Sequence, residues 1–475
     1  MEKRLSLALQ LIVVFTLLLF VACGGEEPPY NGEEPELPDV VIVVEDPTDP
    51  PDNGGYIAQI SHIPSYFVDL SVYPPQRLVQ GVLQVDFVNT AILNLNRVYF
   101  SLPLNVDIMA ATVNLAPSHF HKFGNILRIY LDDPLMPGES LDIGLVFEAQ
   151  IVHEALEIGA NPHAMWFGNF VPALMVVGDD GWHNYPFFTT ISNFLVNIST
   201  PPEYFATATA ATTSTIGTDL NLSIIDAILV RDFAFAILSN AYNSRQIGNT
   251  TLYYREPNLD EEALQAVLTR ADEAAAHFNL RIAPNPHNSL KIVEIDLDAD
   301  MRAYPGIIFV DSAHLRSLQV HQSLTRGIAS QWFGNILGTN PVAEPWLACG
   351  LAGFLALDYE FSPDWVSREI RRLHAAHNLS LNYIDYNDLY MQHTRGIIFF
   401  YVLRYEMGGA AFEEFFTTFY NRFAFEIATS RDLMAVAREF HPDLPDDFLE
   451  IWIKTPLIPS LPIRDTDLDP IDTEN

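Results

Sequence analysis

Three positions in the second half of the chain have the spacing of a zinc site without its ligands. Residues 326 and 330 are four apart in a segment predicted to be helical, so their side chains share one face. Zinc is held in this way by two His four apart, with a third ligand from the next helix. Here the three positions are Arg326, Ser330 and Cys349. Because Arg stays protonated and a Ser hydroxyl is a poor zinc donor, only Cys349 could bind the metal.

The residues around these positions resemble the active-site segments of the M1 (gluzincin) family of zinc aminopeptidases. That family has His-Glu-x-x-His directly before Gln-Trp-Phe-Gly-Asn, and its third ligand lies in Trp-Leu-Asn-Glu-Gly. This chain has Gln-Trp-Phe-Gly-Asn at 331–335 and Trp-Leu-Ala-Cys-Gly at 346–350. The first His, the general-base Glu, the second His and the ligand Glu fall on Arg326, Gly327, Ser330 and Cys349. The eighteen residues from 331 to 348 keep the family spacing, so the side chains were replaced in place.

Two further positions implied by the resemblance are also replaced. The Tyr that steadies the tetrahedral intermediate falls on His393, and the Glu that holds the substrate amine falls on Ala303. A general base is worth about 10²- to 10⁴-fold in rate, and Gly327 supplies none. We therefore predict no catalytic residues, no metal and no cofactor. The alternative is an atypical zinc site built from other residues.

The neighbouring residues of the motif are retained and are expected to frame a cleft. They are Tyr304, Gly306, Trp332, Phe333 and Trp346. Arg326 carries a separate hypothesis, in which its cation reaches a carboxylate and takes the electrostatic place of zinc. The alternative is that Arg326 extends out of the open cleft into solvent.

Other groups of chemistry-bearing residues give weaker patterns. His153 and Glu154 have the letters of a metal motif but lie in a β region. The pairs His374 with His377 and His119 with His121 lack further ligands, and His321 has no partner at helical spacing. Cys349 would be a nucleophile only with a base such as His393 nearby. No Ser-His-Asp order is apparent in the sequence.

The elements that would position these residues form two regions. Up to about residue 250, short alternating segments such as Val82–Phe87 and Ile126–Leu131 predict antiparallel strands. An amphipathic helix to about Phe278, strands at 290–295 and 306–310, and further helices follow. The predicted fold class is α+β. An antiparallel β domain like the M1 saddle precedes a thermolysin-like, mixed α/β and mostly helical domain.

The ends predict export and anchoring. Residues 1–23 read as a lipoprotein signal peptide in which Cys23 accepts the lipid. Residues 24–55 form an acidic, Pro-rich tether whose apolar burst, Val40–Val44, is a candidate edge strand. The predicted domains then span 56–250 and 251–456, and 457–475 is an acidic tail. An uncleaved transmembrane anchor is the alternative reading of the apolar leader.

The charge balance excludes one class of partner. The formal net charge is −35, from 60 acidic and 25 basic residues, so binding to nucleic acid is not expected. The prediction is a lipid-anchored protein on the outer face of a membrane in the cell envelope. Its function would be that of a zinc-free pseudopeptidase that binds peptides or a partner protein. The alternatives are a residual metallopeptidase and a scaffold without a ligand.

Overall fold

The computed structural model describes eight segments of the chain, 62–103, 105–152, 157–178, 181–183, 188–255, 261–287, 289–360 and 389–454. Side chains of the last segment are described from 394 to 451. The predicted signal peptide with Cys23, the tether, the tail and the residues His153, Glu154, His374 and His377 lie outside the described residues. The side chain of His393 also lies outside them.

The first region is built from strands. Their bounds are β1 (Ser65–Tyr73), β2 (Leu78–Val88), β3 (Leu95–Ser101), β4 (Val106–Val113), β5 (Ala116–Pro117), β6 (Phe120–Phe123), β7 (Ile126–Leu135), β8 (Ser140–Gln150), β9 (Ile158–Ala160), β10 (Ala164–Phe167), β11 (Ala173–Leu174), β12 (Val176–Gly178), β13 (Gly181–His183), β14 (Ser192–Thr200), β15 (Tyr204–Ala208), β16 (Thr212–Ile216), β17 (Asn221–Val230) and β18 (Phe235–Ser239). In β1 every second side chain is buried, as the period-two pattern of the sequence predicts.

These strands form four sheets. The largest has eight strands in the order β16-β17-β14-β1-β2-β8-β4-β5, and only β1 and β14 pair in parallel. Two four-stranded sheets, β15-β18-β10-β9 and β11-β3-β7-β6, and the pair β12-β13 complete the region. The inward side chains of the three larger sheets share one apolar core that includes Phe147, Phe167, Phe194 and Phe235.

The second region begins with a mixed five-stranded sheet and continues with helices. The strands are β19 (Tyr242–Ile247), β20 (Thr250–Arg255), β21 (Leu290–Ile295), β22 (Met301–Tyr304) and β23 (Ile307–Asp311) in the order β19-β20-β21-β23-β22. The helices are α1 (Glu261–Arg281), α2 (Val320–Ala329), α3 (Pro345–Tyr359), α4 (Leu389–Met407), α5 (Gly409–Phe423), α6 (Ser430–Phe440) and α7 (Phe448–Lys454). Short 3₁₀ turns occupy Pro74–Gln76 and His314–Arg316.

Local sequence signals explain several helix ends. The first turn of α1 carries Glu261 and Glu262 and its last turn carries Arg281, so all three charges suit the helix dipole. Helix α3 has Pro345 in its first turn, where no backbone donor is needed. Helix α6 starts with a capping box between Thr429 and Asp432.

The predicted fold class is confirmed, because an antiparallel β region precedes a mixed, mostly helical one. The five-stranded sheet of the second region includes β19, which begins at Tyr242. No helix in the described part of the chain has the length and apolar character needed to cross a membrane.

Candidate functional site

The structure brings the predicted positions together where α2, α3 and β22 meet. Helix α2 carries Arg326 and Gly327 and ends at Ala329, just before Ser330, while α3 carries Cys349. Strand β22 carries Ala303. We call these five residues the vacated site. His393 lies on α4, which α3 contacts through glycine backbones at Gly350 and Gly396.

A buried glutamine fixes β22 against α2. The Gln331 side chain donates to the backbone oxygens of Tyr304, at 3.1 Å, and Gly327, at 3.2 Å, and accepts from the Gly306 N–H at 2.8 Å. Gly306 has a φ of +69° in the turn between β22 and β23. The retained Gln-Trp-Phe-Gly-Asn segment therefore holds the turn that follows Ala303, independently of any metal.

The general-base position is filled by packing. A methyl group added at Gly327 would lie 2.7 Å from Met301 Cε and 3.1 Å from Ile308 Cδ1. Met301 is buried, with 8% of its surface exposed. A carboxylate side chain at this position would have to displace Met301 from the core.

The ligand positions have also acquired other contacts. The Ser330 hydroxyl donates to the Gly327 backbone oxygen, 2.7 Å away within its own helix turn. Cys349 is exposed to solvent, yet burial raises the pKa of its thiol, and Arg326 and Arg302 lower it in part.

These residues do not fit a zinc ion. Cys349 is the single zinc donor among the three ligand positions, and the charged groups near it are the guanidinium groups of Arg326 and Arg302. In the described segments, no group of three or more His, Cys, Asp or Glu side chains has the proximity needed to hold a metal. The chemistry of the donor set, one thiol beside fixed cations, is contrary to what zinc requires.

Arg326 is half-buried, and its surroundings disfavour its charge. Burial, the largest influence, lowers the pKa of Arg326; Cys349 and Asp300 oppose this, and Arg302 reinforces it. The Asp300 side chain remains 70% exposed. Keeping Arg326 charged in the folded state therefore costs free energy. If Arg326 were replaced, the exposed Asp300 carboxylate would remain hydrated.

We expect Arg326→Met to raise the free energy of unfolding by about 1 kcal/mol, because an apolar side chain removes the desolvation cost. Chemical denaturation of the purified protein measures this, and Arg326→Lys, which keeps the charge, is the control. A lower stability in the Met variant would instead support Arg326 as a structural cation in the place of zinc.

Tyr304 connects the vacated site to the β region. Its hydroxyl donates to the Glu157 carboxylate, which also lies 3.4 Å from Arg302 Nε. The Asn169 side chain donates to the same carboxylate, and the Asn169 backbone N–H donates to Asp232 at 2.8 Å. This network and Gln331 together position the Arg302–Gly306 segment.

Asp232 gives the network a pH dependence. Burial raises the pKa of its carboxyl to about 7, the Asn169 N–H opposes this, and the nearby Glu157 adds to it. Its ordinary pKa is about 3.9, so the folded state binds more protons between these values. Stability should fall as the pH rises from about 4 to about 7.

We expect Asp232→Asn to remove this fall in the free energy of unfolding. The fall is about 2 kcal/mol once the effect of the raised pKa is reduced for the partial exposure of Asp232. The Asn oxygen can still accept from the Asn169 N–H. Denaturation curves between about pH 5 and pH 8 measure the effect, and the exposed Asp226→Asn is the matched control. An unchanged slope in Asp232→Asn would contradict the assignment.

The predicted cleft-frame residues are core residues in the structure. Tyr304, Trp332, Phe333 and Trp346 are 6%, 1%, 1% and 1% exposed. Trp332 donates from Nε1 to the Ala283 oxygen at 2.8 Å. Together with Gly306, they fix the backbone beneath the vacated site and present little surface to a ligand.

One group of chemistry-bearing side chains lies together in the structure without any motif in the sequence that indicates it. Ser323 Oγ lies 2.9 Å from His314 Nε2, and Asp300 Oδ1 lies 3.4 Å from His314 Nδ1. The three residues come from α2, a 3₁₀ turn and the segment before β22. No sequence motif links them, although the short spacing of Asp300, His314 and Ser323 was a usable signal.

Comparisons with known proteins agree with this fold. No protein-family model matches the sequence, and no curated protein does. An M1 zinc metallopeptidase mutant from Deinococcus radiodurans, solved with a Tyr-Ser-Ala substrate, is similar with a TM-score of 0.68 and 16% identity, over 84% of this chain and 95% of that chain. Another structure of an M1 zinc metallopeptidase from that organism has a TM-score of 0.66 and 16% identity, and the match covers 84% of this chain and 94% of that chain.

A two-domain M1 zinc metallopeptidase mutant bound to L-tryptophan is also similar, with a TM-score of 0.68, 16% identity and coverage of 84% and 96%. The chain therefore has the two-domain fold of M1 zinc metallopeptidases, as the resemblance of its motifs predicted. The likeness spans nearly the whole length of those structures.

Proposed function

We propose that this chain is a zinc-free pseudopeptidase that binds peptides or a partner protein at its vacated site. The observation that carries the proposal is the replacement of the zinc chemistry by other contacts: Met301 packs against Gly327, and the Ser330 hydroxyl donates to the Gly327 oxygen. A site that had lost only one ligand would keep the other donors, whereas here all three ligand positions and the general base are replaced.

Binding is supported by the form of the surface. Cys349 is exposed, and Ala303, Arg326 and Ser330 are half-buried around the meeting point of α2, α3 and β22. Beneath them, Gln331 and the Tyr304–Glu157 contact fix the backbone. A surface held rigid in this way costs little ordering on binding, which favours affinity.

A displayed random-peptide library tests the binding function on the purified protein. We expect selected peptides whose affinity falls about 10-fold or more in Cys349→Trp, because the large ring covers the surface around position 349 and a 10-fold loss corresponds to about 1.4 kcal/mol. Met109→Trp, at an exposed position of β4, is the matched control. If no peptide is selected, or if both variants bind equally, the scaffold alternative replaces this proposal.

The scaffold alternative has an observation of its own. The retained motif residues are buried in the core, so their retention is explained by folding alone. Peptide selection therefore decides between the two functions, whereas a measurement of stability does not.

We also propose that Cys23 carries a lipid and holds the protein on the outer face of a membrane. The apolar leader, the small residue before Cys23 and the following Gly24 support this. Growth with a labelled fatty acid should transfer the label to the protein and not to the Cys23→Ser variant. Equal labelling of the two would contradict lipidation, and retention of the whole leader would support a transmembrane anchor.

A further inference from the structure

We propose that Ser323, His314 and Asp300 form a metal-independent acyl-hydrolase site that acts on short carboxylic esters. We call these three residues the ester site. It goes beyond the peptide-binding function, and neither depends on the other. It rests on two short distances, one from the Ser323 hydroxyl to the His314 imidazole and one from that imidazole to the Asp300 carboxylate.

The first contact suits nucleophile activation. Ser323 Oγ lies 2.9 Å from His314 Nε2, within the range over which an imidazole takes a hydroxyl proton. The second contact suits orientation of the base, since Asp300 Oδ1 and Ser317 Oγ lie 3.4 Å and 3.3 Å from Nδ1. With the proton on Nδ1, His314 donates towards these oxygens and its Nε2 accepts from Ser323.

The backbone holds the three side chains in place. The His314 backbone N–H donates to Asp311 Oδ2 at 3.1 Å, and the Asp311 backbone N–H donates to the Asp300 backbone oxygen at 3.0 Å. Ser323 lies one turn into α2. The His314 side chain is only 10% exposed, so its ring is confined, whereas Ser323 is half-buried.

The surroundings are suited to a developing negative charge. Ser323 lies near the N-terminus of α2, whose first turn carries no acidic side chain. Arg326 follows one turn later and interacts electrostatically with Asp300. These positive groups favour an oxyanion at an acyl carbon bound to Ser323 Oγ.

The reaction needs only water as a co-substrate. Ser323 Oγ attacks the ester carbonyl carbon while its proton passes to His314 Nε2, and that proton leaves with the alcohol as the C–O bond breaks. Water then attacks the acyl-serine, gives a proton to Nε2 and releases the acid, and the proton returns to Ser323. Because Asp300 is 70% exposed, it stabilises the imidazolium weakly, so activated esters are favoured over amides.

A fluorophosphonate probe and p-nitrophenyl acetate test the ester site on the purified protein. We expect one adduct, mapped to Ser323, and hydrolysis that a zinc chelator does not change. Ser323→Ala and His314→Gln should each lose the adduct and about 10-fold or more of the hydrolysis rate. Asp300→Asn should lose less, because its carboxylate is solvated.

Ser214→Ala is the matched serine control, because Ser214 lies at an exposed position of β16, outside both sites. Unfolding midpoints and binding of the library-selected peptides verify that each variant is folded. An adduct on another serine, no adduct, or undiminished hydrolysis by folded Ser323→Ala or His314→Gln would overturn the proposal. Loss of peptide binding in Cys349→Trp with intact hydrolysis keeps the two functions distinct.

Discussion

Gly350→Ala should destabilise the fold by about 3 kcal/mol, at the upper end of the cost of overpacking. A methyl group at this position of α3 would lie 2.7 Å from the Gly396 Cα and carbonyl carbon on α4. Both are backbone atoms, so one helix must move as a whole. Since α3 carries Cys349, the same movement would disturb the vacated site.

Gly327→Ala is the matched comparison for this prediction. Its added methyl group also meets an atom at 2.7 Å, but that atom is the flexible end of Met301. The cost should stay below about 1 kcal/mol, because alanine regains up to about 1 kcal/mol of helix propensity. Denaturant midpoints of both variants provide the measurement. Equal effects would show that α3 and α4 are not in backbone contact.

Restoring the ligands should restore zinc binding. In R326H/S330H/C349E, two imidazoles four apart, one in the last turn of α2 and one directly after it, and a carboxylate on α3 reproduce the ligand set at the family spacing. A structural zinc site is worth about 10 to 16 kcal/mol in apparent binding free energy. We therefore expect about one zinc per chain by metal analysis, with a rise in the unfolding midpoint that a chelator reverses.

Adding G327E to this variant separates the metal from the general base. Met301 occupies the space needed by the new side chain. The four-residue variant should therefore be less stable than the three-residue one, and M301A should recover the loss. Peptide turnover should remain low in both, since Ala303 and His393 supply neither amine anchor nor intermediate stabiliser. Failure of the three-residue variant to gain zinc would contradict the register at 326 to 349.

The sequence predicted the parts of the molecule that local spacing determines. Period-two strands such as β1 and the retained Gln-Trp-Phe-Gly-Asn segment were sufficient to predict the fold class. Contacts between distant segments could not be predicted in this way. Glu157 and Tyr304 are 147 residues apart, and no pattern in either segment indicates that they meet.

The same limit applies to the three residues that most change the interpretation of this region. Met301 lies outside the strands predicted from the sequence, and its contact with Gly327 depends on how β22 packs against α2. Ser323 and His314 lie in two elements whose relative orientation the sequence does not give. Side-chain packing, rather than secondary structure, was therefore the missing information.

The zinc content of the purified wild-type protein, measured together with hydrolysis of aminoacyl and peptide substrates in added zinc, tests the central claim most directly. We predict far less than one zinc per chain and no turnover that depends on the metal, because Arg326, Ser330 and Cys349 do not form a ligand set. Near-stoichiometric zinc with turnover that a chelator abolishes would contradict the account.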